Sequence, residues 1–144
     1  MFALSAEFST YYDYLKAELD KYQGSYDDYI FNLPELFKLM CDLLNTNIDK
    51  EDKGNVAKAL GYFVAPRDVI YEEVFGPIGY IDDIFMCCYV LAEIKSKYGM
   101  ELLEKKWTSE RNLEETLNTC YNKSSEFLEG HRLKEYILKY VGLL

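Results

Sequence analysis

Residues 59–92 read ALGYFVAPRDVIYEEVFGPIGYIDDIFMCCYVLA, and their pattern decides the fold class. Val56, Ala59, Leu60, Phe63 and Val64 recur at steps of three and four, so a helix runs into the stretch. Pro66 stops it, because the ring removes a backbone donor and disfavours the α region at Ala65. Pro66, Gly76, Pro77 and Gly79 then give residues 66–79 the composition of a shaped loop. Gly79 and Tyr80 lead into a second helix with Asp82 and Asp83 in its first turn, where acidic groups favour the partial positive charge of a helix N-terminus. Ile84 to Ala92 is apolar on every face, the pattern of a helix buried on most sides.

The order Tyr62, Pro66, Asp68, Ile70, Glu72, Gly79, Asp82, Asp83 resembles the signature of the YkvA family of small helical proteins, over roughly residues 59–92. That signature runs Tyr, then Pro-x-Asp-Leu-Ile-Pro-Asp, then Gly-x-x-Asp-Asp opening a helix. Tyr71 stands where the signature has its second proline, and Glu72 where it has an aspartate. The resemblance implies a helical fold and supplies no reaction.

Upstream, Phe8, Tyr11, Tyr12, Leu15, Leu19 and Tyr22 mark one face of a helix over 6–22, ended by Gly24. Ser25 with Asp28 forms a capping-box pattern for a short helix over 26–31. Asn32 is placed to cap the next helix, with Pro34 in its first turn. Leu36, Phe37, Leu39, Met40, Leu43 and Leu44 form that helix's apolar stripe. Asp49, Glu51 and Asp52 open a helix over 49–64.

Downstream, a helix over 80–98 closes at Gly99, a short one spans 100–107, and Asn112 with Glu115 opens another through Leu128. Gly130 separates a last helix over 131–141, with Leu133, Ile137, Tyr140 and Val141 expected inside. No segment alternates as strands do. The expectation is all-α: one domain over residues 1–144, a compact bundle of about six to eight helices with a Pro/Gly-rich central loop.

Composition narrows the function classes. Hydrophobic residues at 49% of 144 supply a core, so the chain is globular rather than disordered. The longest apolar run, Ile84 to Ala92, is too short to span a bilayer. The first residues, MFALSAE, lack the basic region and apolar core of a secretory signal, so the cytoplasm is the expected location. The formal charge of −9 argues against nucleic acid and anionic membrane surfaces, and suits a basic protein partner. Cys41, Cys87, Cys88 and Cys120 match no zinc spacing and read as reduced, buried, small apolar residues.

Two candidate chemistries remain. Asp68, Glu72, Glu73, Asp82 and Asp83 lie on the central loop and the helix start beside it. Clustered carboxylates are the donor set of a hard divalent cation, and Asp68, Glu72, Asp82 and Asp83 are its candidate ligands. On that reading the chain is a metal-assisted hydrolase; otherwise the same acids cap helices and bond loop amides. No catalytic residue stands out and no organic cofactor is expected. The one histidine, His131, has no nucleophile elbow to serve, and no phosphate-binding glycine loop occurs.

The second chemistry is recognition. Tyr11, Tyr14, Tyr26, Asp13, Glu18, Asp27 and Asp28 crowd the first thirty residues, and tyrosine among acids suits a basic protein surface. The leading reading is a non-enzymatic acidic binding module, an immunity- or antitoxin-type inhibitor of a basic toxin or nuclease. A membrane-associated accessory protein is a third alternative.

Overall fold

The computed structural model describes residues 10–21, 28–63 and 80–143. Among these the elements are all helical, and they pack around one apolar core. The expected loop at 66–79, and residues 22–25 where the first helix was to end and the next to be capped, lie outside the described residues.

Helix α1, Tyr11–Asp20, starts at Thr10, whose Oγ1 accepts the Asp13 N–H at 3.1 Å. It buries Leu15 and Leu19. A short 3₁₀ helix, Asp28–Asn32, follows and buries Tyr29 and Ile30. It runs directly into α2, Leu33–Leu43, which packs Leu36, Leu39, Met40 and Leu43 inward.

Asn32 stands at the cap position of α2 but does not cap it. Its backbone is already helical, so the side chain cannot reach forward and bonds the Tyr29 carbonyl behind it at 3.2 Å.

Helix α3, Lys50–Phe63, is opened by Asp49, whose Oδ1 accepts the Asp52 N–H at 3.0 Å. Its buried line is Val56, Ala59 and Tyr62. Helix α4, Ile81–Tyr98, is the axis of the bundle and touches α2, α3 and α6 along its length. Ile84, Phe85, Met86 and Cys87 are each 0% exposed, as a run apolar on every face requires. Ala92, at the end of that run, is exposed. Gly99, at φ 94°, closes α4 in a conformation that disfavours a side chain.

Helix α5, Met100–Lys106, then leads through a turn to α6, Leu113–Gly130, capped by Asn112 Oδ1 on the Glu115 N–H at 2.9 Å. The last helix, α7, is Lys134–Val141.

The break before α7 differs from expectation. Gly130 stays helical and the turn falls at His131 to Leu133. His131 stacks on Phe127 with ring centres 4.4 Å apart, and its Nδ1 lies 2.8 Å from the Phe127 carbonyl oxygen. These contacts continue α6 by one residue past the glycine. Arg132 then adopts φ 58°, and the N–H groups of Arg132 and Leu133 return to the carbonyls of Glu129 and Leu128. This is a Schellman closure with arginine where glycine is favoured. With α7 starting three residues late, its inner face is Ile137 and Leu138, and Tyr140 is 62% exposed rather than inside.

No helix among the described residues is long and apolar enough to cross a membrane. Cys87, Cys88 and Cys120 are buried, Cys41 is half-buried, and all four thiols are free.

Because Arg132 occupies a left-handed conformation, Arg132→Gly is expected to stabilise the fold by about 0.5–1 kcal/mol, net of the added freedom of the unfolded chain. A urea titration comparing midpoints at equal slope measures this.

Candidate functional site

Helices α3 and α4 run antiparallel, and polar groups tie them at both ends. At the end where α3 stops and α4 begins, Tyr62 donates its hydroxyl to Asp82 Oδ2 at 2.6 Å. Asp82 Oδ1 also accepts the Asp83 N–H at 2.9 Å. Both aspartates are fully buried in the first turn of α4, where the helix dipole favours negative charge. The Tyr62 ring meets Tyr140 of α7 edge-on at 5.9 Å, so three helices converge at this node.

At the other end, Lys97 reaches Asp49 at 2.5 Å and Asp52 at 2.9 Å. The Tyr98 hydroxyl donates to Asp52 Oδ2 at 2.7 Å and accepts the Asp49 N–H at 2.8 Å. The hydrogen bond from Lys97, helped by the Asp52 N–H, holds the Asp49 carboxyl at about 2, against its usual 3.8. The two carboxylates in turn raise Lys97 above the ordinary lysine value.

Of the four candidate metal ligands, Asp82 and Asp83 lie side by side on one turn, and Asp68 and Glu72 fall outside the described residues. Among the described residues no group of three or more His, Cys, Asp or Glu side chains is placed to hold a metal ion. What the geometry gives Asp82 is a structural task, as acceptor for Tyr62 and for the turn of its own helix.

The candidate partner face divides. Tyr11 packs on Phe37 with ring centres 5.0 Å apart and so joins the α1–α2 seam, and Tyr14 stacks on Tyr11 at 5.8 Å. Tyr12 donates to Glu35, and burial together with that bond pushes its phenol up to about 12. Asp13 is exposed, and Glu18 pairs with Lys21 at 3.2 Å. Asp28 is exposed at the start of the 3₁₀ helix, whereas Tyr26 and Asp27 lie outside the described residues.

A cluster that the sequence did not flag sits below Asp28. Arg111 Nη1 donates to Asn32 Oδ1 at 2.8 Å, and the Asn32 amide lies 3.7 Å from the Cys120 sulfur. The Cys120 thiol donates to the Tyr29 carbonyl at 3.6 Å. Its hydrogen-bonded neighbour Cys88, then Asn32 and the charges of Arg111 and Lys123, outweigh burial and hold it below the ordinary thiol value. Arg111 and Asn32 are 79 positions apart, which no local pattern connects.

A family described as a protein of unknown function (DUF1232) matches residues 53–89, the span that carries Tyr62, Asp82 and Asp83. An uncharacterized protein, ORF9, of Methanothermobacter thermautotrophicus is 36% identical over 127 residues, covering 88% of this chain and 86% of its own. The chain belongs to the family of this archaeal protein. No solved structure matches it. The DUF1232 segment spans most of α3 and the first half of α4, so it contains the fully buried tie of the helix pair and leaves out the one formed by exposed Asp49 and Lys97 with buried Asp52.

Two outcomes follow from the ties. Tyr62→Phe removes a donor from a buried carboxylate and is expected to destabilise the fold by about 1–3 kcal/mol, read as a lower urea midpoint. Asp49→Asn keeps the cap acceptor and removes only the charge. The Asp49 carboxyl is depressed in the folded state, so its stabilisation is complete above about pH 4 and fades as pH falls toward 2. The melting temperature of Asp49→Asn should therefore lie below that of the parent at pH 7, and the gap should close on acidification.

Proposed function

We propose that this chain is a non-enzymatic acidic module that binds a basic protein in the cytoplasm, in the manner of an immunity or antitoxin protein. The observation that carries this reading is the net charge of −9 together with exposed acids at Asp13, Asp20 and Asp28 around α1 and the 3₁₀ helix. Charge of one sign on a rim speeds encounter with a partner of the other sign. The YkvA-like signature is consistent with this reading and adds no chemistry to it, since Tyr62 and Asp82 are committed to each other.

The test is a pull-down from host lysate at about 50 mM and about 500 mM salt, a range across which surface electrostatics are progressively screened. A basic protein is expected to be retained at low salt and released at high salt. The double variant Asp13→Lys/Asp20→Lys should retain it poorly while keeping a cooperative melt close to the parent's. Absence of any basic protein at low salt overturns the reading. A parallel titration with millimolar Mn²⁺ should leave the melting midpoint unchanged, because a ligand bound to the folded state alone raises it. A rise would favour the metal-assisted hydrolase instead.

A further inference from the structure

A cavity of about 480 Å³ opens between the 3₁₀ helix and the start of α6, a size at which small molecules are bound. Its floor is ordered by buried groups. Asn32 is 7% exposed, and its amide nitrogen is fixed on the Tyr29 carbonyl, which leaves Oδ1 to take Arg111 Nη1 at 2.8 Å. Thr116, also 7% exposed, lines the same floor. Arg111 makes no ion pair among the described residues. One arm of its guanidinium is therefore held by a neutral amide, and the rest of a planar five-donor fork is left on the cavity wall. Such a fork matches a carboxylate in two parallel hydrogen bonds.

The remaining walls carry both signs. Lys123 lines the cavity with its ammonium 5.7 Å from the centre of the Tyr29 ring. Asp28 and Glu115 line it with carboxylates. A simple anion meets those two acids, and a simple cation meets Arg111 and Lys123. A ligand with one charge of each sign satisfies both halves, and discrimination against singly charged ligands follows from the repelling half.

We propose that this cavity binds a small zwitterion of the α-amino acid class, its carboxylate on Arg111 and its ammonium toward Asp28 and Glu115. The site is separate from the basic-partner reading except that Asp28 borders both, so the variants for that reading leave Asp28 in place.

The experiment titrates the full chain, by melting and by calorimetry, with the twenty amino acids and a set of dipeptides. Acetate, ethylamine and inorganic phosphate serve as singly charged probes. At least one zwitterion is expected to bind and to raise the midpoint, and Arg111→Gln should weaken it about tenfold or more. Asp28→Asn and Glu115→Gln should weaken the zwitterion while strengthening whatever binding acetate shows. Thr119→Trp, from an exposed position on the cavity wall, should abolish binding without lowering the chain's own midpoint. Dipeptides binding in place of free amino acids would keep the proposal and fix the ligand's length. The proposal is overturned if no zwitterion binds, or if phosphate binds as tightly and ignores Asp28→Asn and Glu115→Gln. Binding that survives Thr119→Trp overturns it too, because the ligand then sits elsewhere.

Discussion

The hydrogen bond from Tyr62 to Asp82 sets the pairing on which the rest of the helices pack. Helix α3 has a narrow apolar face, Val56, Ala59 and Tyr62, and carries glycines at 54 and 61 with open space where a Cβ would sit. Apolar contact of that kind is not directional and leaves the register of two helices loosely defined. A short bond into a buried carboxylate is directional, and breaking it removes a donor from a desolvated group. The Lys97 cluster at the far end acts in parallel but in contact with water, where ion pairs are screened and individually weak. The buried end therefore fixes the register and the exposed end refines it.

Much of this was legible in order along the chain. Helical periodicity placed α2 to α6 within a few residues, and the cap at Asn112 is made by the residue the sequence offers. Asp49, read into the first turn of α3, caps it instead, and α1 starts at Tyr11 rather than at residue 6. The errors have a common form, in which a side chain found a better partner than its local pattern implied. Asn32 had the identity of a cap and was drawn to Tyr29, Cys120 and Arg111 instead. His131 read as the start of a helix and became the end of the previous one through its ring contact with Phe127. That shift turned Tyr140 outward, although its edge still reaches Tyr62.

The candidate site was legible to a lesser degree, for the same reason. The Tyr and Asp of the signature stretch could be singled out, yet their mutual bond appears only when α3 and α4 fold back on each other. Arg111 gave no signal at all, since one arginine in a polar turn is unremarkable until a buried amide holds it. Its setting in an acidic molecule also matters. A free anion meets long-range repulsion over a Debye length of about 10 Å before it senses two local cations. A ligand of zero net charge approaches without that barrier.

Trp107, the one tryptophan of the chain, donates its indole N–H to the Arg111 carbonyl at 2.8 Å. Intrinsic fluorescence excited at the indole therefore watches the turn that presents the guanidinium, not the buried helix pair. The molecule thus carries its own optical gauge on the turn that holds Arg111, one that needs no label.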